Sequence, residues 1–142
     1  MTGTPPTAGP RLFFYFFRHY QKIDGIMEAA LRDENLTTGQ YTVLSALKRF
    51  EPCTAADLAR KQNMTAQSMS EYLLALEGKG LIERKHVNGN RRNMIVRRSE
   101  EGLNVQERCD QAILEAERAY LSRLDPQDRD RFITQLMALY QK

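Results

Sequence analysis

Apolar residues recur at Leu12, Phe16, Tyr20, Ile23, Met27 and Leu31, the spacing that lays one stripe along an α-helix. Phe13, Phe14, Tyr15 and Phe17 point elsewhere on the same wheel, so the first two turns are apolar nearly all round. Such a segment must be buried on more than one side, which in a chain this small calls for a second subunit. Leu36-Thr37-Thr38-Gly39-Gln40 restarts the chain with a Thr37-to-Gln40 capping box. Val43, Leu44, Leu47 and Phe50 then give the next helix its inner face, until Glu51-Pro52 stops it. Thr54 and Asp57 form a second box and open a short helix with Leu58 and Ala59 inward. Lys61 to Met64 reads as a turn. Thr65 caps a third helix with Met69, Tyr72, Leu73 and Leu76 on its core face, and Gly78 and Gly80 end it. Two short helices joined by a tight turn are the helix-turn-helix pattern.

After Gly80 the period changes. Leu81-Ile82-Glu83-Arg84 and Met94-Ile95-Val96-Arg97 read as two strands around Val87-Asn88-Gly89-Asn90, an Asn-Gly turn signal, and so predict a β-wing. Ser99 caps a long helix with Glu100 and Glu101 in its first turn and an apolar stripe of Val105, Cys109, Ala112, Ile113, Ala116 and Tyr120. Asp125-Pro126-Gln127-Asp128 starts a last helix carrying Phe132, Ile133, Leu136, Met137 and Tyr140. The expected fold class is mainly α with a small β-wing (α+β): a winged helix-turn-helix over residues 36–99, between helical regions at 11–35 and 100–142. Thr2 to Pro10, rich in Pro, Gly and Thr, is expected to be a mobile tail.

Composition narrows the class. A chain of 142 residues with 42% hydrophobic and 27% charged residues can build one folded domain and is not disordered in type. The longest apolar run, Leu12 to Phe17, is far short of the ~20 residues that span a bilayer. No secretory signal pattern precedes or follows it, so a cytoplasmic protein without a membrane partner is expected. Two distant cysteines agree with a reducing compartment. The net charge of +3 hides a concentration: Lys79 to Arg98 holds seven Lys/Arg against one acid, Glu83. A basic ribbon directly after a helix-turn-helix points to a nucleic acid duplex.

At this point the residues resemble the MarR family of bacterial transcriptional regulators along nearly the whole chain. Leu36-Thr37-x-x-Gln40-Tyr41-x-x-Leu44 resembles the family's LTxxQ segment, and Asp57-Leu58-Ala59 its ELA. Leu76-Glu77-x-Lys79-Gly80-Leu81-Ile82 resembles the LExKGLI junction, and Ser99-x-x-Gly102 stands at the LTxxG entry to the long dimer helix. The resemblance implies a homodimer whose terminal helices intertwine, binding pseudo-palindromic double-stranded DNA, with a pocket for a small apolar or aromatic effector between the dimer and DNA-binding regions. It departs from the family's wing Asp-x-Arg at Asn90-Arg91-Arg92. It also departs at Glu71, Leu74 and Ala75, where the family often has an Arg and a charged pair.

A helix in the major groove reads base edges, while a wing holds backbone or minor groove. The face opposite the core offers Gln67, Ser70 and Glu71 with Ser68 on the flank: Gln suits adenine, Ser is adaptable and Glu can accept from cytosine N4. Glu71 has the alternative of a solvated residue. Arg92 is the leading wing contact, with Arg84, Lys85 and Arg91 as further candidates; a plain solvated strand face is the alternative for Arg91, Arg97 and Arg98. Arg97 and Arg98 must point to opposite faces. Thr54 and Thr65 are helix caps that could also touch phosphate. Phe16, His19, Tyr20, Ile23 and Tyr41 are the pocket candidates, with dimer core as the competing role. Cys53, just before a helix cap, is a candidate thiolate, and the resemblance implies oxidant sensing as one family use; an inert small hydrophobe is the alternative for it and for Cys109. His19 and His86 with two thiols make no metal pattern, and no cofactor is expected. Nucleophile-elbow, P-loop and metal-hydrolase motifs are absent from the sequence, which argues against an enzyme. Two classes remain: a DNA-binding regulator, expected to be a ligand-responsive repressor, and a winged-helix protein-interaction module without specific DNA binding.

Overall fold

Three threonines and a serine set where the inner helices begin. Thr37 Oγ1 accepts from Gln40 N, and Gln40 Oε1 accepts from Thr37 N, a complete capping box that opens α2 (Thr38–Phe50). Thr54 caps α3 (Ala55–Lys61) through Asp57 N and Thr65 caps α4 (Ala66–Gly78) through Ser68 N. The second expected box is half formed, because the Asp57 carboxylate turns to Arg60. Ser99 caps α5 (Glu100–Tyr120) through Gly102 N. The computed structural model describes residues 11–87 and 90–141, those at 90–93 by their backbone. The expected N-terminal tail and the Asn88-Gly89 turn tip lie outside the described residues.

Helix ends are fixed as locally as the starts. Gly80 has φ +73°, with Gly80 N donating to Glu77 O at 2.9 Å and Leu81 N to Leu76 O at 3.0 Å, a Schellman motif. Asn63, φ 53°, closes α3 the same way, through Asn63 N to Arg60 O and Met64 N to Ala59 O. That motif is the turn of the helix-turn-helix. Asn35, φ 53°, ends the single 3-10 turn Arg32–Glu34 after α1 (Leu12–Leu31).

The wing comprises β2 (Ile82–Val87) and β3 (Asn90–Arg98), antiparallel with Ile82 opposite Arg98 and a register shift at His86/Val87. Both strands run longer than the hydrophobic pattern alone indicated. A third strand, β1 (Cys53–Thr54), pairs with β3 on its other side, giving the order β1-β3-β2. Two residues carry no readable period, so β1 was not expected. The core gathers Val43, Leu44 and Leu47 of α2, Leu58 of α3, Met69, Leu73 and Leu76 of α4, Val96 of β3 and Val105 and Cys109 of α5. The mainly α winged-helix fold is therefore as expected.

The terminal helices differ from this core. On the long α1 stripe only Leu31 is buried; Phe13 is 85% exposed, and Leu12, Phe14 to Phe17, Tyr20 and Ile23 are exposed as well. α6 (Pro126–Tyr140), reached through a 3-10 turn at Leu121–Arg123, buries nothing, and Tyr140 is 90% exposed. No helix among the described residues is long and apolar enough to cross a membrane.

At the base of the wing, Ser99 N donates to the Leu81 carbonyl at 3.0 Å and Ser99 Oγ to the Gly80 carbonyl at 2.6 Å. A Cβ on Gly102 would lie 2.0 Å from that Leu81 oxygen, so only glycine lets α5 start there. Gly102→Ala is expected to lower stability by about 1–3 kcal/mol in urea unfolding. Gly78→Ala, whose new Cβ would meet nothing within 4 Å, should be neutral or stabilising by up to about 1 kcal/mol. Equal stabilities for the two variants would contradict the close approach at Leu81.

Candidate nucleic-acid interface

On α4 the core-facing residues Met69, Leu73 and Leu76 are fully buried, which turns Gln67, Ser70, Glu71 and Leu74 to solvent on the opposite face. Ser68 is half-buried on the flank. Thr54 and Thr65 stand at the starts of α3 and α4 with their hydroxyl oxygens occupied by capping hydrogen bonds. Gln67, Ser70 and Glu71 thus share the outward face of α4, which leads into β2 of the wing.

The wing's charges are less free than their number suggests. Arg84 is half-buried, its Nε 2.5 Å from Glu77 Oε2 of α4. Arg97 Nε lies 3.4 Å from Glu83 Oε2 across the strand pair. Lys79 Nζ donates to the Asn35 carbonyl and, at 2.8 Å, to Gln40 Oε1, which ties the end of α4 to the start of α2. Lys85 is exposed on β2 and enters no ion pair among the described residues. The side chains of Arg91 and Arg92, on the β3 backbone nearest the tip, lie outside the described residues. Among the described residues the basic ribbon therefore presents its outward charge at Lys85, while its base is neutralised by acids.

Arg98 departs most from a solvated strand face. Its backbone N donates to Glu51 Oε2 at 2.8 Å, its Nε reaches both carboxylate oxygens at 3.1 Å, and its terminal nitrogen meets Oε1 at 2.7 Å. Only 10% of the Arg98 side chain and 22% of Glu51 are exposed. The bidentate pair bolts the last wing residue to the end of α2. As the alternation required, Arg97 and Arg98 use opposite faces. Burial opposes ionisation of Glu51, but the hydrogen bonds from Arg98 outweigh it and hold the carboxyl below its ordinary value.

The remaining sequence candidates separate in space. Tyr41 is half-buried and its hydroxyl donates to Asp110 Oδ1 of α5 at 2.5 Å. Burial and that bond push the phenol up to about 12. Asp110 also accepts from Lys48 Nζ at 2.9 Å and Gln106 Nε2 at 3.1 Å. His19 bonds the Tyr120 hydroxyl instead, ten residues and roughly 15 Å further along α5. Phe16, Tyr20 and Ile23 are exposed, so the five pocket candidates do not enclose one cavity in a single chain. Beside His19 lies an open cleft of about 390 Å³ along Arg18, Gln21 and Lys22. Cys53 is half-buried in β1, and burial together with Asp57 and Glu51 pushes its thiol up, against a reactive thiolate. Cys109 is buried in the core, its thiol pushed up to about 11 by burial.

Fold and surface together define a winged helix-turn-helix protein. Residues 36–94 match the model of the MarR family. The chain is 30% identical over 79 residues to an uncharacterised HTH-type transcriptional regulator of Bacillus cereus, an alignment covering 56% of this chain and 54% of that protein. It thus spans about half the length of the curated relatives it matches. Among solved structures it is similar to a mutant MarR from E. coli complexed with operator DNA, with TM-score 0.79, 19% identity, and 92% of this chain and 94% of that chain covered. It is also similar to a Staphylococcus aureus MarR in complex with salicylate and kanamycin, with TM-score 0.81, 16% identity, and 90% and 87% covered. At these identities the structural likenesses establish the fold.

Because Glu51 has a lowered folded pKa, its stabilising effect is complete above the ordinary carboxylate value of 4.5 and is lost as pH falls through the folded value. The stability gap between the wild type and Glu51→Gln should be widest near about pH 6 and should narrow toward about pH 3 in urea unfolding. A gap independent of pH would show that the Arg98 pair does not govern this carboxyl.

Proposed function

We propose that the chain is a homodimeric, sequence-specific double-stranded DNA-binding transcriptional regulator, acting as a repressor released by a small apolar or aromatic effector. The observation that carries the reading is the exposed Gln67–Ser70–Glu71 face of α4 set beside an exposed wing cation, Lys85, within a MarR-family segment. Base edges are read by the helix, and phosphate is held by Lys85, Arg91 and Arg92 of the wing. The N-termini of α3 and α4 at Thr54 and Thr65 add backbone donors for phosphate. The printed description of the E. coli relative, bound to operator DNA, supports the same partner class here.

The apolar faces of α1 and α6 are the dimer surface in this reading, with residues 11–35 and 100–142 as the dimerisation region. Rings as exposed as Phe13 and Tyr140 are unusual on a monomer surface, and the apolar residues of α1 and of α6 are each suited to burial against a second copy. Two half-sites are bound together only when the recognition helices are about 34 Å apart, so a ligand that favours another separation weakens DNA binding. The salicylate-bound S. aureus relative supports an effector. An effector pocket using Phe16, His19, Tyr20 and Ile23 requires the second subunit to close it.

Light scattering on the eluting protein is expected to give twice the chain mass of 16.4 kDa. Phe13→Glu combined with Phe132→Glu should shift it toward monomer; a wild-type monomer at micromolar concentration would sink the dimer reading. In fluorescence anisotropy, duplex DNA from the protein's own upstream region, or failing that a duplex selected from random sequence, should bind selectively with a steep salt dependence. Lys85→Ala and Arg92→Ala should each weaken binding to all duplexes and lower the logarithmic salt slope by about one per contact removed. Equal weak binding to every duplex, selection included, would favour the protein-interaction module. That reading draws on α4 itself, which carries Glu71 and Glu77 and has no Lys or Arg between Gln62 and Gly78.

A further inference from the structure

Leu74 is 68% exposed, and it is the one exposed large hydrophobic side chain among the described residues from Leu36 to Ser99. Every other large apolar residue of that stretch is at least half-buried, so the outward position of Leu74 is an exception within a well-packed unit. It stands in line with Gln67, Glu71 and Gly78: offsets of four, seven and eleven residues fall on one helical line, and all four residues are exposed. That line runs opposite Met69, Leu73 and Leu76 and is the outermost edge of α4. From Gln67 to Leu74 the helix rises about 10.5 Å, close to three base-pair steps.

The chemistry of that edge is an amide, a carboxylate and a branched alkyl group. It has no cation, so it lacks the Arg or Lys fork that most often reads guanine O6 and N7. Of the groups that the four bases show in the major groove, the apolar one is the thymine 5-methyl. We infer that Leu74 is a specificity-determining residue that packs against a thymine methyl in each half-site of the operator. Gln67 and Glu71 read hydrogen-bonding edges on the neighbouring steps. The inference rests on the DNA-binding reading of α4 given above and narrows it to thymine at one position per half-site. An acidic helix gains nothing from phosphate, so removing water from an alkyl–methyl contact is a source of discrimination that its charge does not oppose.

The test uses the full-length protein and the tightest duplex recovered from random-sequence selection, with each thymine replaced in turn by uracil, which lacks only the methyl. One position per half-site is expected to weaken wild-type binding by about four-fold, the worth of one buried methyl group. Leu74→Ala should weaken the thymine duplex by a similar or larger factor and lose the uracil penalty at that position, with its thermal midpoint unchanged because the side chain is exposed. Leu74→Met, which keeps an apolar contact, should retain the penalty. Selective wild-type binding with no uracil-sensitive position, or a uracil penalty that persists in Leu74→Ala, overturns the inference and leaves the regulator reading intact. Failure to recover any selectively bound duplex removes both, and would turn Leu74 into an anchor for a protein partner.

Discussion

The Leu81 carbonyl is where α4, the wing and α5 meet. Leu81 follows the left-handed Gly80, buries its side chain in the core and accepts a hydrogen bond from Ser99 N, which begins α5. Gly102 presses against the same carbonyl so closely that no side chain fits. The two ends of the wing are thereby held together, and α4 is given a fixed direction relative to α5. Any function requiring α4 and a second copy's α4 to sit at a set distance depends on that joint, because α5 leads toward the apolar terminal helices and α4 carries the outward Gln67–Ser70–Glu71 face.

A second theme is how the chain uses its positive charge. Three of the wing's basic residues are matched with acids: Arg98 with Glu51 just past α2, Arg84 with Glu77 of α4 and Arg97 with Glu83 of β2. The first is mostly shielded from water and orders the base of the wing, whereas the third is half exposed and contributes little to stability. The arrangement leaves outward charge at Lys85, away from the neutralised base, where a rigid strand pair can aim it. Counting charges along the chain overstates the local field, and pairing them in space corrects it.

A polar cluster links the same two parts from another side. Asp110 of α5 gathers Tyr41 and Lys48 of α2 together with Gln106, whose amide also bonds Ser45. Gln106 is 2% exposed; its amide nitrogen bonds both Ser45 and Asp110, whereas its Oε1 meets no hydrogen-bond partner among the described residues. Arg108 reaching Glu34 at 2.6 Å adds a further tie between α5 and the end of the first helical segment. The winged-helix unit and α5 therefore behave as one packed body, while apolar residues of α1 and α6 stay exposed.

Much of this was legible along the chain because the signals are short-ranged. Thr37, Thr54, Thr65 and Ser99 each bond an amide three residues on, Gly80 takes the left-handed turn, and the buried stripes of α2, α3 and α4 follow the helical period. The winged-helix class, the outward face of α4 and the alternation of Arg97 and Arg98 follow from those local rules. The tertiary structure alone decided the rest. Glu51 meets Arg98 across 47 residues, Tyr41 meets Asp110 across 69 and His19 meets Tyr120 across 101. The two residues of β1 become a strand only because β3 passes beside them. No period or spacing encodes such meetings; they arise when helices pack, and packing decides which charges are neutralised and which remain for a ligand.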